Sequence, residues 1–292
     1  MSEADGLLLV DKPAGRTSHD VVDLARRALR TRKVGHAGTL DPFATGLLVL
    51  LVGRATRLAP FLNAEPKVYE ATFRFGADTD SDDATGAVSR VAPLPSESAL
   101  RAALPQFTGT ILQRPPTVSA KQVGGVRAHA AARIGTPLDL TPVAVRLFAW
   151  DDVVITAESR TAESLTARIT CAGGTYIRAL ARDLARAVGS AGHCVALRRT
   201  RIGAFGIADA IPALELAERA QAALRSPVGG LDPSLTRESI DADACSAIAH
   251  GRAVPARSPG ARAALLGPEG ALVAIAERQG DLWHPNVVLA HA

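Results

Sequence analysis

Cysteine is scarce in this chain, and the three present, Cys171, Cys194 and Cys245, lie far apart. They form no Cys-x-x-Cys pair, which excludes a thiolate zinc site of the usual spacing. Their odd number argues against a disulfide framework, so they read as small buried hydrophobes in a reducing, cytoplasmic setting. Long apolar runs are also missing: charged residues interrupt each one well before membrane-span length, and no membrane partner is expected. The opening Met-Ser-Glu-Ala-Asp has neither the basic start nor the apolar stretch of a signal peptide. Neither Gly-x-x-x-x-Gly-Lys-[Ser/Thr] nor His-Glu-x-x-His occurs, so no nucleotide cofactor and no hydrolytic zinc is called for. Aromatic residues make up only 4% of the chain, and the only tyrosines are Tyr69 and Tyr176.

What is present is ordinary globular composition, 47% hydrophobic and 21% charged over 292 residues. That length suits one large domain or a large and a small one. The net charge of +4 is unevenly placed. Residues 12–57 carry nine Lys or Arg against three Asp, residues 101–146 six against one, and residues 168–201 seven against one. Residues 209–292 carry seven Arg against ten acids. Basic stretches segregated in this way point to a polyanionic partner. The acidic run Asp78–Gly86 does not read as an EF-hand. Its sixth and twelfth places hold Asp83 and Ser89 where Gly and Glu are needed.

One stretch, residues 33–46, puts a single carboxylate, Asp41, where regular helix or strand is excluded. Gly35, Gly38 and Gly46 allow close approach and positive φ, and Pro42 biases Asp41 away from the helical region. The run Leu47–Val52 follows as a buried strand. A carboxylate on a constrained loop against a rigid strand is a way to hold a catalytic group still, although Asp-Pro and Gly are also ordinary turn residues. Upstream, residues 6–11 read as a buried strand, and Thr17 with Asp20 as a capping box opening a helix. Residues 67–75 alternate, with Tyr69, Ala71, Phe73 and Phe75 on one face. Residues 96–104 and 212–225 read as helices, residues 143–156 and 164–171 as strands, and residues 227–230 as a linker. After the Gly173-Gly174 break, Ile177, Leu180, Ala181, Leu184 and Val188 make a helical face. Arg178 stands at that helix start, where a cation opposes the macrodipole. An anion must hold it there, and Asp41 is the natural partner. His36 has no second His at metal spacing, so a metal role is rejected.

The stretch Gly-His-Ala-Gly-Thr-Leu-Asp-Pro-Phe-Ala-Thr-Gly-Leu-Leu resembles the signature of the TruB family of tRNA pseudouridine synthases, bacterial type. Further blocks follow the family's order. Residues 9–18 resemble its N-terminal block, Lys67-Val68-Tyr69-Glu70-Ala71 its active-site tyrosine strand, and Gly174–Leu180 its active-site arginine block. Leu197-Arg198-Arg199-Thr200 resembles a fourth, and the likeness spans roughly residues 6–206.

The resemblance implies an α+β fold: a large mixed, mainly antiparallel sheet flanked by helices, then a small C-terminal β-domain of PUA-like type. It implies a catalytic domain over residues 1–228, with a thumb-like insertion at about 105–135, and an RNA-binding domain over residues 229–292. The implied activity is isomerisation of a T-loop uridine of tRNA, position 55, to pseudouridine by base flipping, with no cofactor and no metal. Asp41 would be the nucleophile, Arg178 its partner, and Tyr69 the stacking residue and candidate base. His36, Tyr69, Tyr176, Leu197 and Lys12 would bind substrate. Arg114, Lys121, Arg127, Arg198 and Arg199 would contact RNA, and the acidic run 78–86 would lie on the surface. The thumb departs from the family pattern at Val118, Gln122 and His129, where Tyr, Lys and Tyr are usual. The tRNA T arm is the expected partner, with no obligate protein partner, for a cytoplasmic monomer. Two other readings remain: an RNA-binding, tRNA-folding protein with an idle site, and a glycosidase-like hydrolase needing a second acid.

Overall fold

Two apolar runs begin the core. Strand β1 (Gly6–Lys12) pairs antiparallel with β3 (Thr45–Val52), and a short β2 (Val34–Ala37) adds to the other edge of β3. In the computed structural model, residues 5–119, 122–123, 126–127, 136, 138–158 and 161–289 are described. β3 is buried on both faces over Gly46–Val52, which is why its sequence is continuously apolar rather than alternating. β4 (Lys67–Phe75) does alternate, burying Tyr69, Ala71, Phe73 and Phe75. A two-stranded ribbon, β5 (Ala77–Thr79) with β6 (Val88–Val91), precedes β7 (Gly109–Gln113) and the short hairpin of β8 (Gln122–Val123) and β9 (Val126–Arg127). β10 (Val143–Glu158), β11 (Thr161–Cys171), β12 (Gly192–Ile202), β13 (Phe205–Gly206) and β14 (Ile211–Pro212) complete the large sheet.

The order across that sheet is β14-β1-β3-β12-β4-β11-β10-β7, with β2 beside β3 and β13 beside β12. Two halves, antiparallel except for β14 beside β1, meet at a parallel seam, where β3 and β12 pair only through Thr45 with Arg198 and Gly46 with Arg199. The helix Ser18–Ala28 covers one half, with Thr17 and Asp20 forming the expected reciprocal cap. The helix Ile177–Ala187 packs on the other half, against Phe73, Leu165 and Leu197. The sheet is mixed and mainly antiparallel with flanking helices, as expected.

The C-terminal unit has its own sheet, β15 (Thr236–Ser239), β16 (Val254–Pro255), β17 (Arg262–Leu266), β18 (Leu272–Gln279) and β19 (Leu282–Val288), in the order β15-β17-β18-β19-β16. This separate small sheet agrees with a PUA-like domain, and it carries a helix, Ala242–Ala249, capped by Asp241. Trp283 is fully buried and donates its indole N–H to Glu238 at 2.8 Å. The other face of this sheet, through Ala264, Leu272, Ile275 and Val287, packs on Leu7, Leu51, Ala55 and Leu58 of the large domain.

Four expectations change. Residues 34–37 form a strand within the stretch read as irregular, because β3 offers them an edge. Residues 212–225 contain only single helical turns at Ala213–Glu215 and Leu216–Arg219. There the chain is pulled out of helix because Arg225 exchanges two backbone hydrogen bonds with Leu7, each 2.9 Å. Residues 227–230 are a packed turn rather than a free linker, with Gly230 wedged against Phe205 and Leu7. Finally, most of the acid in the 78–86 run is inside: Asp78, Asp82 and Asp83 are all under 8% exposed, and among its acids only Asp80 faces solvent.

The seam tolerates no side chain at Gly46. Its φ is +102°, and a Cβ there would lie 2.2 Å from the Arg199 carbonyl oxygen. Gly46→Ala should destabilise the fold by at least about 3 kcal/mol. Gly270→Ala, where φ is +73° but nothing lies within 4 Å, should cost about 1–2 kcal/mol. Denaturant midpoints of the two variants measure the difference.

Candidate active site

The loop between β2 and β3 carries Asp41 and is anchored by three distant elements. From the N-terminal helix, Ser18 Oγ donates to the Leu40 carbonyl at 3.1 Å and accepts from the Leu40 N–H at 2.9 Å. From β1, the Lys12 ammonium donates to the carbonyls of Pro13, Arg16 and Pro42 at 2.9, 2.7 and 3.2 Å. From β12, the Arg199 guanidinium donates to the carbonyls of Leu47, Thr39 and Gly38 at 2.8, 3.3 and 2.9 Å. Gly38, at φ +85°, lets the loop pass close to Arg199 and Lys67. The Asp41 backbone is therefore fixed from three sides.

Arg178 meets Asp41 with two parallel bonds, Nε to Oδ2 at 2.8 Å and Nη2 to Oδ1 at 2.9 Å. The ion pair expected from the helix-start position is present. The Arg178 side chain is 3% exposed and that of Asp41 is 32%, so the pair opens to solvent only on the carboxylate side. The remaining guanidinium donors go to the Val118 carbonyl at 2.8 Å and to the Ser81 carbonyl, with the Asp83 carboxylate 3.4 Å away. A buried guanidinium is tolerable only with this degree of satisfaction.

The acidic run, expected at the surface, supplies much of it. Along one face of the helix, Arg178, Arg182 and Arg186 meet Asp83, Asp82 and Asp78 in turn, at 3.4, 2.7 and 3.1 Å. Asp83 also accepts from Ser81 Oγ and from the Thr85 N–H and hydroxyl on its other oxygen. These aspartates were missed as site residues. The readable signal was arginine at every fourth position of a helix, facing a segment with matching acids. Gln113 was missed with no signal: its buried amide clamps Tyr176 by accepting from the backbone N–H at 2.8 Å and donating to the carbonyl at 3.1 Å.

Asp41 opens into a cleft of about 230 Å³ that brings together Tyr69 from β4, Tyr176 and Arg178 from the helix start, and Leu197 from β12. Lys67, Gly38 and Gly174 line it as well. Burial raises the Tyr69 pKa, with the Arg199 guanidinium drawing it partly back. Burial also raises Tyr176, against a hydrogen bond from Ser119. His36 is on β2, outside the cleft lining, with its Nδ1 buried and without a partner. Burial, then the nearby charges of Arg199 and His19, lower its pKa and favour the neutral ring.

The expected RNA arginines divide. Arg199, expected at RNA, and Lys12, expected at substrate, are both 0% exposed and spend their donors on loop carbonyls. Each is a strut of the Asp41 loop, because a buried cation takes the nearest acceptors. Arg198 is half-exposed and paired with Asp11 at 2.7 Å, and Arg114 is exposed and paired with Asp139. Lys121 lies outside the described residues. Arg127 is described only in its backbone, within β9. Among the described residues no cluster of His, Cys, Asp and Glu suits a metal ion. No described helix is long and apolar enough to cross a membrane.

The Lys12 strut has a titration consequence. Burial lowers its pKa to about 8, with Asp41 opposing and Arg199 reinforcing the shift. In the unfolded chain the amine holds its proton to about 10.4. Between these values the unfolded state binds more protons, so Lys12 makes stability rise with pH in that window. Denaturant titrations from about pH 8 to about pH 10 should show the wild type gaining stability relative to Lys12→Met. A constant difference would count against the shift.

Comparison with known proteins agrees with this geometry. The profile of the TruB family pseudouridylate synthase N-terminal domain matches residues 26–177. The chain is 43% identical to tRNA pseudouridine synthase B of Corynebacterium efficiens over 284 residues, covering 94% of this chain and 93% of that protein. It is 40% identical to tRNA pseudouridine synthase B of Thermobifida fusca, covering 98% and 99%. In fold it is similar to a chain in the crystal structure of a Cbf5-Nop10-Gar1 complex, with TM-score 0.71, 24% identity, and 98% and 85% of the two chains covered. With an aspartate held by a buried arginine in a tyrosine-lined cleft, and relatives matched along nearly their whole length, this chain belongs to the TruB family of pseudouridylate synthases, which are isomerases.

Proposed function

We propose that the chain converts uridine 55 in the T-loop of tRNA to pseudouridine, with Asp41 as nucleophile. The observation that carries this reading is the two-pronged Arg178–Asp41 pair opening into the cleft with Tyr69, Tyr176 and Leu197. The tRNA substrate is supported by the names of the relatives matched over almost the full length. The reaction breaks the N1–C1′ bond and joins C5 to C1′. A proton leaves C5 and N1 gains one, so there is no net redox change and no group is lost.

Each residue has a definable task. Arg178 binds both Asp41 oxygens, leaving the second lone pair of each toward the cleft. An attacking carboxylate held in one orientation gains from proximity, since little freedom remains to be lost. Tyr69, Tyr176 and Leu197 offer flat apolar surface to a uracil that must leave its stack, at a cost of a few kcal/mol. Burial disfavours the phenolate that Tyr69 would need to accept the C5 proton, and the Arg199 charge favours it. A hydrolase with paired carboxylates is poorly supported, because Asp83, the other acid beside Arg178, is committed to Ser81, Thr85 and Arg178. An idle site would have no use for a nucleophile loop anchored from three elements.

Asp41→Asn should abolish pseudouridine formation in a tRNA transcript while leaving tRNA affinity within a few-fold. Arg178→Met should lower single-turnover rate by about a hundredfold or more, and Arg178→Lys should rescue it poorly, since an ammonium lacks the planar fork. Arg198→Met, which removes only the half-exposed pair with Asp11, should keep most activity. Substantial turnover by Asp41→Asn would end the nucleophile assignment.

A further inference from the structure

Among the described residues, every cation buried around the cleft but one has its donors committed. Lys12 is spent on three carbonyls, Arg178 on Asp41 and two carbonyls, and Arg199 on three carbonyls. The exception is Lys67. It stands two residues before Tyr69 on the same face of β4 and lines the cleft. Its ammonium makes no hydrogen bond and no ion pair with any described residue. The nearby carboxylate, Glu65, is used instead to accept from the Gly173 N–H at 2.8 Å.

The position of this ammonium is also defined. A Cβ at Gly38 would lie 3.4 Å from Lys67 Nζ, and one at Gly173 would lie 3.7 Å from it. Nζ therefore sits between the Asp41 loop on one wall and the turn before Arg178 on the other. Both walls are glycine there, which leaves backbone-lined room beside the charge. Burial and the Arg199 charge lower the Lys67 pKa, as follows for a cation without a counterion, while Cys171 and Glu65 oppose the shift.

A half-buried ammonium with three open donors calls for an anion. Within the proposed reaction, Asp41 is held by Arg178 and the uracil enters uncharged. The charge an RNA brings to this point is its phosphodiester. A base stacked on Tyr69 would leave its phosphates within reach of a side chain two residues along the same face of β4. We propose that Lys67 Nζ binds a non-bridging oxygen of the phosphodiester flanking the flipped uridine, and so positions that nucleotide over Asp41. This assignment rests on the reading of the Asp41 cleft as the uridine site.

The test uses the full-length protein and a T-arm RNA transcript containing the target uridine. Lys67→Met should weaken RNA binding about tenfold at moderate salt. It should also reduce the slope of log affinity against log salt by about 0.7–0.9, the loss of one phosphate contact. Lys67→Arg, which keeps the charge, should retain most of the affinity. In the wild type, a neutral methylphosphonate at one of the two flanking linkages should weaken binding to a similar degree. The same substitution should cost Lys67→Met nothing further. The proposal is overturned by unchanged affinity and salt slope in Lys67→Met, by additive losses from the variant and the methylphosphonate, or by a wild type indifferent to both methylphosphonates. A slower rate at unchanged affinity would place Lys67 at the uracil and overturn it too. The wild-type methylphosphonate series decides the matter even if Lys67→Met misfolds. A wild type that forms no pseudouridine in the unmodified transcript would instead defeat the reading on which the proposal rests.

Discussion

The two-pronged contact between Arg178 and Asp41 is the interaction on which the surrounding structure depends. A guanidinium with a 3% exposed side chain cannot shed its charge, so every donor needs a partner. Asp41 supplies one side, and the Ser81 and Val118 carbonyls with Asp83 supply the other. This demand draws Ser81 and Asp83 of the 78–86 segment inward and ties Val118 to the helix. The same helix face repeats the arrangement at Arg182 with Asp82 and at Arg186 with Asp78. The acidic segment and the helix are thereby joined over two turns. Arg178 is oriented by this packing rather than by Asp41 alone.

The carboxylate has a matching constraint from the backbone. Ser18, Lys12 and Arg199 reach the 38–47 segment from a helix, an outer strand and the central seam. Segments as far apart in sequence as Lys12 and Arg199 must be in place before Asp41 can be. This couples the site to the fold: loss of the parallel seam between β3 and β12 would displace Arg199 and Gly46 together. Such a loop trades the mobility usual for functional loops for a fixed orientation of the Asp41 carboxylate. The C-terminal sheet supports the same region from behind, since it packs on Leu51 and Leu58 at the far end of β3 and just beyond it.

Much of the fold and the centre of the site was legible in the sequence because the signals were local. The continuous apolar run of β3, the alternation of β4 and the Thr17–Asp20 cap each depend on neighbours within a few residues. The glycines and proline around Asp41 restrict backbone angles by themselves, and the placement of Arg178 at a helix start implies an anion. Asp41, Tyr69, Tyr176, Arg178 and Leu197, chosen from their sequence blocks, do line one cleft.

What only the tertiary structure decided was which charges face solvent. By composition, Arg199, Lys12, Asp78, Asp82 and Asp83 are surface residues, yet each is buried. A charge goes inside only when acceptors or donors from distant segments converge on it, and no local pattern encodes that convergence. The same reason explains residues 212–225, whose helical pattern lost to hydrogen bonds between Arg225 and Leu7. It also explains Lys67, which reads in sequence as one more strand-edge cation. Only the assembled cleft shows that its ammonium meets no hydrogen-bond acceptor among the described residues, while Lys12, Arg178 and Arg199 are paired. The sequence by itself determined the main strands, the first helix cap and which carboxylate, Asp41, the cleft presents. The assembled structure determined which cations hold that carboxylate's loop and which one is left to meet a ligand, because charge pairing is settled by distances between segments far apart in the chain.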